Sequence, residues 1–497
     1  MMTAATEASV PSMPLSQVLG RDDSALASIM IDDVELDSRK VRAGSLFLAL
    51  PGELHDGRQF IEQAVANGCA AVLAEPPTAG FVDSVAVPLI EVPELREEMG
   101  FLAERFFRSP SRALHVVGTT GTNGKTTTSR LLAQLCRSRG KACGVIGTLG
   151  ASLTNAVSEA ANTTPDAISL QRQLADWRAQ DVMMVSMEVS SHALVQGRVN
   201  GVHFSTAVFT NLSHDHLDYH GSMAAYGRAK LRLFASEGLR HALINNDDEF
   251  APLVAASVAS DVEVLTYSAT GGRADVRIEN VEFASDGVQA MLQTPWGSAS
   301  FSAPLIGEFN LANLAAAVSA AVLSGEDFAD VMSAVETLEP VAGRMQHIDN
   351  TVGLQVIIDY AHTPDALEQV LESLRPHVKG QLITVFGCGG DRDREKRQLM
   401  GRIACGLSDR VFVTSDNPRN EDPARIIADI ELGCSGSYVL EGDRSEAILQ
   451  AIAGAEQGDC IVIAGKGHEE YQLVEGERHY FSDAAQAAIA LRGREVS

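Results

Sequence analysis

The sequence predicts an α/β fold in three domains, with a parallel sheet in the middle of the chain and an open, Rossmann-like sheet at its end. Three observations predict it. A glycine-bearing turn, Gly118–Thr127, lies between an apolar strand and an amphipathic helix. In the last third, four apolar strands each stop at a polar motif that bears, or is soon followed by, glycine or proline. Helical segments separate those four strands, which is the alternation of an open parallel sheet.

The chain has 497 residues, more than one ordinary core holds, so two to four domains are expected. Boundaries fall at an apparent linker, Arg108-Ser-Pro-Ser-Arg112, and near Glu339-Pro-Val-Ala-Gly343-Arg344. The expected domains are 1–112, 113–342 and 343–497. A 45% hydrophobic and 21% charged composition is that of a globular enzyme. The net charge of −26 argues against nucleic acid and against an acidic membrane surface as partners. No apolar run approaches the roughly 18 residues of a membrane span, and residues 1–20 lack the pattern of a signal peptide. Seven cysteines without a Cys-x-x-Cys read as buried thiols in a reducing compartment, so the cytoplasm is expected. The chain is expected to act as a monomer.

Taken in order, residues 1 to about 20 are small and polar and read as a loose tail. Ser45–Leu50 and Ala70–Leu73 read as strands, with a helix at Ile61–Asn67 that Gly68 ends. Ala113–Val117 is a buried strand, and Leu131, Leu132, Leu135 and Cys136 follow at helical spacing until Gly140. Val182–Met187 delivers Glu188, and Ala207–Thr210 delivers Asn211 and a histidine cluster. Tyr226–Phe234 reads as a helix on which Lys230 is most simply solvated. In the last domain, strands at 355–358, 382–386, 411–413 and 461–464 end in Asp359-Tyr-Ala-His362, Gly387-Cys-Gly-Gly-Asp391-Arg392, Asp416-Asn-Pro-Arg419 and Gly465-Lys-Gly-His-Glu469. Ligands of such sheets bind beyond the carboxyl ends of the strands, where these motifs fall.

Gly121-Thr122-Asn123-Gly124-Lys125-Thr126-Thr127 has the chemistry of a phosphate cradle. Backbone N–H groups face phosphate oxygens, Lys125 adds a positive charge, and Thr126 offers a hydroxyl to Mg²⁺. This makes the middle domain a P-loop, ATP-binding, parallel-sheet domain. The match is not strict, because the usual first glycine falls on Thr119 and Gly118 sits one residue early. A plain strand-to-helix turn is the alternative. Glu188, ending an apolar strand, stands where P-loop enzymes place a second Mg²⁺ carboxylate. His214, Asp215, His216, Asp218 and His220 crowd seven residues without matching a zinc spacing, so one or two functional members are expected.

Taken together, Gly121–Thr127, Glu188-Val-Ser-Ser-His192, His214-Asp-His-Leu-Asp218, Tyr226-x-x-Ala-Lys230, Gly307-x-Phe-Asn310-x-x-Asn313 and Asp359–His362 resemble the Mur ligases, ATP-dependent amide-forming enzymes of peptidoglycan synthesis. The motifs occur in family order over about residues 36 to 470, and the displaced first glycine is shared with the family. The resemblance implies that Lys230 is carbamylated and that Thr126, Glu188, His216 and the Lys230 carbamate hold Mg²⁺. It implies that Lys125, Lys230, Glu188 and His216 are the catalytic set, that Asn310 and Asn313 lie near the nucleotide, and that Arg344 reaches ATP phosphates across a cleft. Leu36 and Ser38 resemble the uridine-side element; Asn162, Thr163, Thr164, Ser190, Gln196 and Arg198 resemble contacts to the muramoyl peptide. Glu53-Leu54-His55 falls where the family contacts the nucleotide, and no single contact is assigned within it.

Asp416-Asn417-Pro418-Arg419 resembles the signature of the member that adds meso-2,6-diaminopimelate to UDP-N-acetylmuramoyl-L-alanyl-D-glutamate. A guanidinium can grip the distal carboxylate that distinguishes this amino acid from lysine. Asp416, Asn417 and Glu469 would then receive the ammonium at the same centre, with Arg392 and Gly465 completing the pocket. A type I turn carrying a surface arginine is the alternative for this segment. A lysine-adding ligase, a folylpolyglutamate synthetase and, from a different class, a P-loop NTPase switch are the competing readings of the whole chain.

Overall fold

In the computed structural model, residues 12–52, 55–81, 85–138, 140–154, 162–284 and 287–495 are described. Glu53 and Leu54 lie outside them. Three principal sheets follow one another along the chain, as the α/β reading expects.

The first is a four-stranded parallel sheet of Asp33–Glu35, Ser45–Ala49, Ala71–Ala74 and Leu89–Glu91. The expected loose tail is overturned past residue 12. Leu15 and Val18 are fully buried on a short helix, Leu15–Leu19, that packs on this sheet. Two apolar residues three apart make one helical face, and the surrounding small polar residues masked that signal. The expected linker is also partly structured, since Pro110 and Ser111 are buried in a 3₁₀ turn.

The second sheet has ten strands. At its centre lies His115–Thr120, flanked in parallel by Thr206–Phe209 and Met184–Glu188. Cys143–Gly147 extends the parallel set beyond Met184–Glu188. One end of the sheet is an antiparallel meander, Val276–Ala284, Gly287–Thr294 and Gly297–Ala303, which the expectation of a parallel sheet did not include. Helices Lys125–Arg137 and Glu308–Leu323 cover one face with Leu131, Leu132, Leu135, Leu311 and Leu314. Leu170, Leu174, Trp177, Leu194 and Phe234 cover the other. Coverage on both faces is why these strands read as unbroken apolar runs rather than alternating ones.

The third sheet runs in the order Gln346–His347, Gln355–Asp359, Cys460–Ala464, Leu382–Phe386, Arg410–Val413 and Tyr438–Leu440. All its pairs are parallel except the first. An ion pair between Arg444 and Asp483, both fully buried, ties its loops together, because Arg444 also donates to the Ser415 and Ala464 carbonyls. Five cysteines are buried and two partly so, and all seven are free thiols. Among the described residues no helix is long and apolar enough to cross a membrane.

His115 opens the central strand, 3.3 Å from the Thr206 hydroxyl, and burial pushes its pKa down to about 4. The unfolded chain binds this proton at higher pH than the folded one. The stabilisation is therefore complete above pH about 6.5 and is lost as pH falls toward 4. Going from pH 7 to pH 5 should cost about 1–2 kcal/mol through this group. Denaturant titrations of wild type and His115→Gln at both pH values check this: the variant should lose the smaller share of its stability.

Candidate active site between two sheets

Four neighbouring strands of the central sheet end on one edge, and each delivers part of the site. His115–Thr120 leads into the phosphate loop, Met184–Glu188 ends in its own carboxylate, Cys143–Gly147 leads to Thr148, and Thr206–Phe209 leads to Asn211–His216. Gly118, the early glycine, lies within the strand and not in the loop. A Cβ there would stand 2.7 Å from the Phe204 ring, so it serves packing. The loop begins at Gly121.

Gly124, with φ of 84°, caps the helix that starts at Lys125. A Cβ on Gly124 would meet Asn313 Oδ1 at 2.4 Å, so Asn313 supports the loop at closest range. Asn313 also accepts from the Thr128 hydroxyl and donates to Asn310 Oδ1, which places both asparagines on one helix face behind the loop. Lys125 Nζ donates to the Gly121 and Thr122 carbonyls at 2.9 and 2.8 Å. Burial lowers its pKa, with Glu188 and Asp215 opposing. An arriving phosphate would restore its charge.

The Thr126 hydroxyl donates to Glu188 Oε2 at 3.0 Å and accepts from Arg344 Nη2 at 3.1 Å. Arg344 comes from beyond the central sheet, stacks 4.5 Å over the Tyr360 ring, and keeps a buried Nε without a partner among the described residues. That Nε is a spare donor on a side chain whose Nη2 already reaches Thr126 of the phosphate loop. Glu188 is further fixed by the Thr148 N–H on Oε1 and the Thr148 hydroxyl on Oε2. A second bridge joins the two sheets, Asn123 Nδ2 donating to Asp365 Oδ2 at 2.8 Å. A third pairs His214 with Asp393 at 3.0 Å.

His216 sits at φ of 53°, edge-on to His192 at 4.8 Å, with Nε2 3.2 Å from Asp215 Oδ2. Burial pushes its pKa down to about 3 against the pull of Asp215, so the ring is neutral and can offer a lone pair. Lys230 is not solvated, which corrects the reading of that helix by sequence pattern. It is 1% exposed, with Nζ 4.1 Å from the centre of the Tyr226 ring. Burial, reinforced by Lys125, lowers its pKa far below that of a free lysine.

The carboxyl ends of the third sheet face this edge across a cleft. A cavity of about 190 Å³ lies over Thr122–Thr127 and is closed by Arg344, Tyr360 and His362. It joins a larger space of about 1090 Å³ through Thr148, Thr163, Asp215, His216, Tyr360 and His362, which line both. Asn162, Thr163, Ser190, Gln196 and Arg198 line the larger space on the central side. Thr164 is buried behind them, donating to the Glu188 carbonyl. On the opposite side stand Arg392, Asp416, Arg419, Gly465 and Glu469. Leu36 and Ser38 line neither space. Leu36 packs on the first sheet, and the Ser38 hydroxyl is taken by Gln63 at 2.7 Å.

Arg419 has φ of 53°, which a type I turn does not use at that position. Its backbone is held by the hairpin Tyr471–Tyr480: Arg419 N donates to the Leu473 carbonyl and Glu475 N to the Arg419 carbonyl. The guanidinium is half-buried and, among the described residues, bonds only carbonyls, those of Gly390 and, more weakly, Asn417. Burial and the neighbouring Arg392 both lower its pKa. Asn417 differs from its expected role. Its Oδ1 is taken by Lys466 and Leu473 N, and its Nδ2 by Glu469, so it has no acceptor left for an ammonium. Asn417 and Pro418 shape the loop without lining the cleft.

Sequence reasoning missed Thr148, Asp365, Asp393 and Lys466. Thr148 stands one residue past another strand end, the signal that singled out Glu188. Lys466 lies between two glycines of a motif already noted, and paired glycines signal close backbone approach.

Family models for the Mur ligase family catalytic domain, middle domain and glutamate ligase domain match residues 30–107, 119–321 and 343–467. The chain belongs to the Mur ligase family. The chain is 48% identical over 490 residues to the UDP-N-acetylmuramoyl-L-alanyl-D-glutamate–2,6-diaminopimelate ligase of Ectopseudomonas mendocina, covering 98% of this Mur ligase and 99% of that protein. It is 43% identical to the equivalently named protein of Geobacillus thermodenitrificans, covering 93% and 95%. A solved structure of a ligase of that name is 40% identical, with a TM-score of 0.71, covering 98% of this chain and 100% of the other. A MurF structure from Acinetobacter baumannii, 21% identical with a TM-score of 0.67 and covering 92% and 96%, shares the fold.

Thr148→Val keeps the backbone bond to Glu188 and removes the hydroxyl bond. Loss of one hydrogen bond to a carboxylate, about 1.5 kcal/mol, should lower kcat about tenfold and raise the Mg²⁺ concentration needed for half-maximal rate. Phosphate-release kinetics across a Mg²⁺ titration check this; an unchanged titration would remove Thr148 from the site.

Proposed function

We propose that this Mur ligase joins meso-2,6-diaminopimelate to the D-glutamate of UDP-N-acetylmuramoyl-L-alanyl-D-glutamate, converting ATP to ADP and phosphate, in peptidoglycan synthesis. The observation that carries this reading is Arg419: a half-buried guanidinium on the cleft wall with no carboxylate partner among the described residues. A substrate carboxylate would complete it through two parallel hydrogen bonds. Lysine lacks the second, distal carboxylate, so its binding would leave the guanidinium desolvated and unpaired. Names borne by relatives of 43 to 48% identity over nearly the whole chain support the same substrate pair.

The phosphate loop would hold ATP with its γ-phosphate toward the junction of the two spaces. The γ-carboxylate of D-glutamate, entering past Ser190, Gln196 and Arg198, attacks that phosphorus; the bond to ADP breaks and an acyl phosphate forms. Lys125 and Arg344 stabilise the charge that develops there. Diaminopimelate, held at its distal centre by Arg419, Asp416 and Glu469, presents the amine of its other end, which attacks the acyl carbon as the neutral amine; phosphate leaves, the nitrogen gives up a proton, and the amide is formed.

The donor set fits a magnesium ion. Thr126 offers a hydroxyl, Glu188 a carboxylate fixed by two donors, and His216 a neutral imidazole, which leaves other positions to phosphate oxygens. Among the described residues no three His, Cys, Asp or Glu side chains make a closed cluster, so the phosphates would complete the shell. When bound, the metal supplies charge neutralisation at the transferring phosphoryl group. Lys230 would join these residues as a carbamate. Its burial favours the neutral amine, the form that adds to CO₂ with loss of a proton and yields an anion in place of a repelled ammonium.

Phosphate release measured with the UDP-muramoyl dipeptide and either diaminopimelate, lysine or no amine tests the reading. Only diaminopimelate should give rapid turnover; amine-independent release would favour an NTPase switch, and a preference for lysine the lysine-adding ligase. Arg419→Ala should lose at least about 100-fold in kcat/KM for diaminopimelate, the 3 kcal/mol or so of a charged pair, while the KM for ATP changes little. Intact mass of protein kept in bicarbonate should exceed the sequence mass by one CO₂, and Lys230→Ala should abolish both the added mass and turnover.

A further inference from the structure

We infer that Lys466 is the positioning residue of the amine pocket, the cation that sets the orientation of Asn417 and pins Glu469 so that the pocket accepts an ammonium and a carboxylate on one carbon. The inference rests on the function proposed above and deepens it. No motif assignment in the chain gives Lys466 a role.

Lys466 is fully buried, and a buried lysine is rare without a structural demand. Its Nζ donates to Asn417 Oδ1 at 3.0 Å and to Glu469 Oε2 at 3.1 Å, and lies 5.6 Å from the Tyr471 ring centre. The bond to Asn417 decides which way the amide points. With Oδ1 occupied by Lys466 and the Leu473 N–H, the Nδ2 must face Glu469, which it reaches at 2.8 Å. Both bonds to Glu469 fall on Oε2, so Oε1 remains for the cleft that Glu469 lines.

Charge supports the same conclusion. Burial raises the pKa of Asp416, but Lys466 and Arg444 outweigh it and hold the carboxylate ionised. Arg444 is committed to Asp483, which leaves Lys466 as the fully buried cation set directly against Glu469 and Asp416. With Arg419 and Arg392 also on this wall, the acids Asp416 and Glu469 do not outnumber the cations. A zwitterionic centre matches a set with both signs present and separated, whereas a bare ammonium matches one with excess negative charge.

The backbone places the lysine with little tolerance. Gly465 has φ of 111°, and a Cβ there would lie 2.8 Å from Asp416 Oδ2. The loop is therefore threaded against Asp416 as Lys466 turns inward.

The test is steady-state kinetics of Lys466→Met with diaminopimelate, lysine, ATP and the UDP-muramoyl dipeptide, beside wild type. The expected result is a KM for diaminopimelate raised at least about tenfold, KM values for ATP and the dipeptide within about twofold, a smaller change in kcat, and a diaminopimelate-over-lysine preference reduced by about tenfold. An unchanged KM for diaminopimelate, or a loss confined to kcat, would overturn the inference. Lys466→Gln, measured in the same way, supplies the answer if the methionine variant does not fold. Wild type settles the underlying reading separately: preference for lysine there sinks the proposed function, whereas preference for diaminopimelate with an indifferent Lys466→Met sinks only the role of Lys466.

Discussion

One hydroxyl connects the two halves of this enzyme. Thr126 donates a hydrogen bond to Glu188, at the end of the neighbouring strand, and accepts one from Arg344, which arrives from outside the central sheet. It can do both only because the carboxyl ends of two parallel sheets face each other across a narrow space. That opposition is the constraint on which the site depends. It explains why polar loops follow apolar strands throughout the chain.

Each sheet then carries a separate set of groups. The central edge gathers the phosphate loop, Glu188 and His216, and the opposite edge carries the Arg419 guanidinium with the Asp416 and Glu469 carboxylates. Burial depresses the basicity of Lys125, Lys230 and His216 alike. For Lys125 that cost would be offset by an arriving phosphate. Asn123–Asp365 and His214–Asp393 bridge the halves and hold the phosphate loop beneath the amine side.

The order of strands and loops was legible because strands covered on both faces read as apolar runs, and catalytic loops read as the polar motifs that interrupt them. Glu188 and the phosphate loop followed from that pattern. Burial of single polar residues did not. Lys230 lies on a helix whose sequence is compatible with solvent, and only the tertiary fold, with Tyr226 against its Nζ, encloses it. Arg419 could be named from its motif, but its backbone depends on a hairpin some fifty residues away, a contact no local pattern records. The antiparallel meander at 276–303 alternates too weakly to announce itself. The Leu15–Leu19 helix was hidden by its neighbours' composition.

Positional isotope exchange tests the division of labour most directly. ATP labelled with ¹⁸O in the β,γ-bridge is incubated with the UDP-muramoyl dipeptide and no amine, and scrambling of the label is followed. If acyl phosphate forms on the central side alone, wild type scrambles the label without amine, and Arg419→Ala scrambles it at a similar rate although it makes little amide. Exchange that requires diaminopimelate, or that disappears in Arg419→Ala, would contradict a site whose two halves act in sequence.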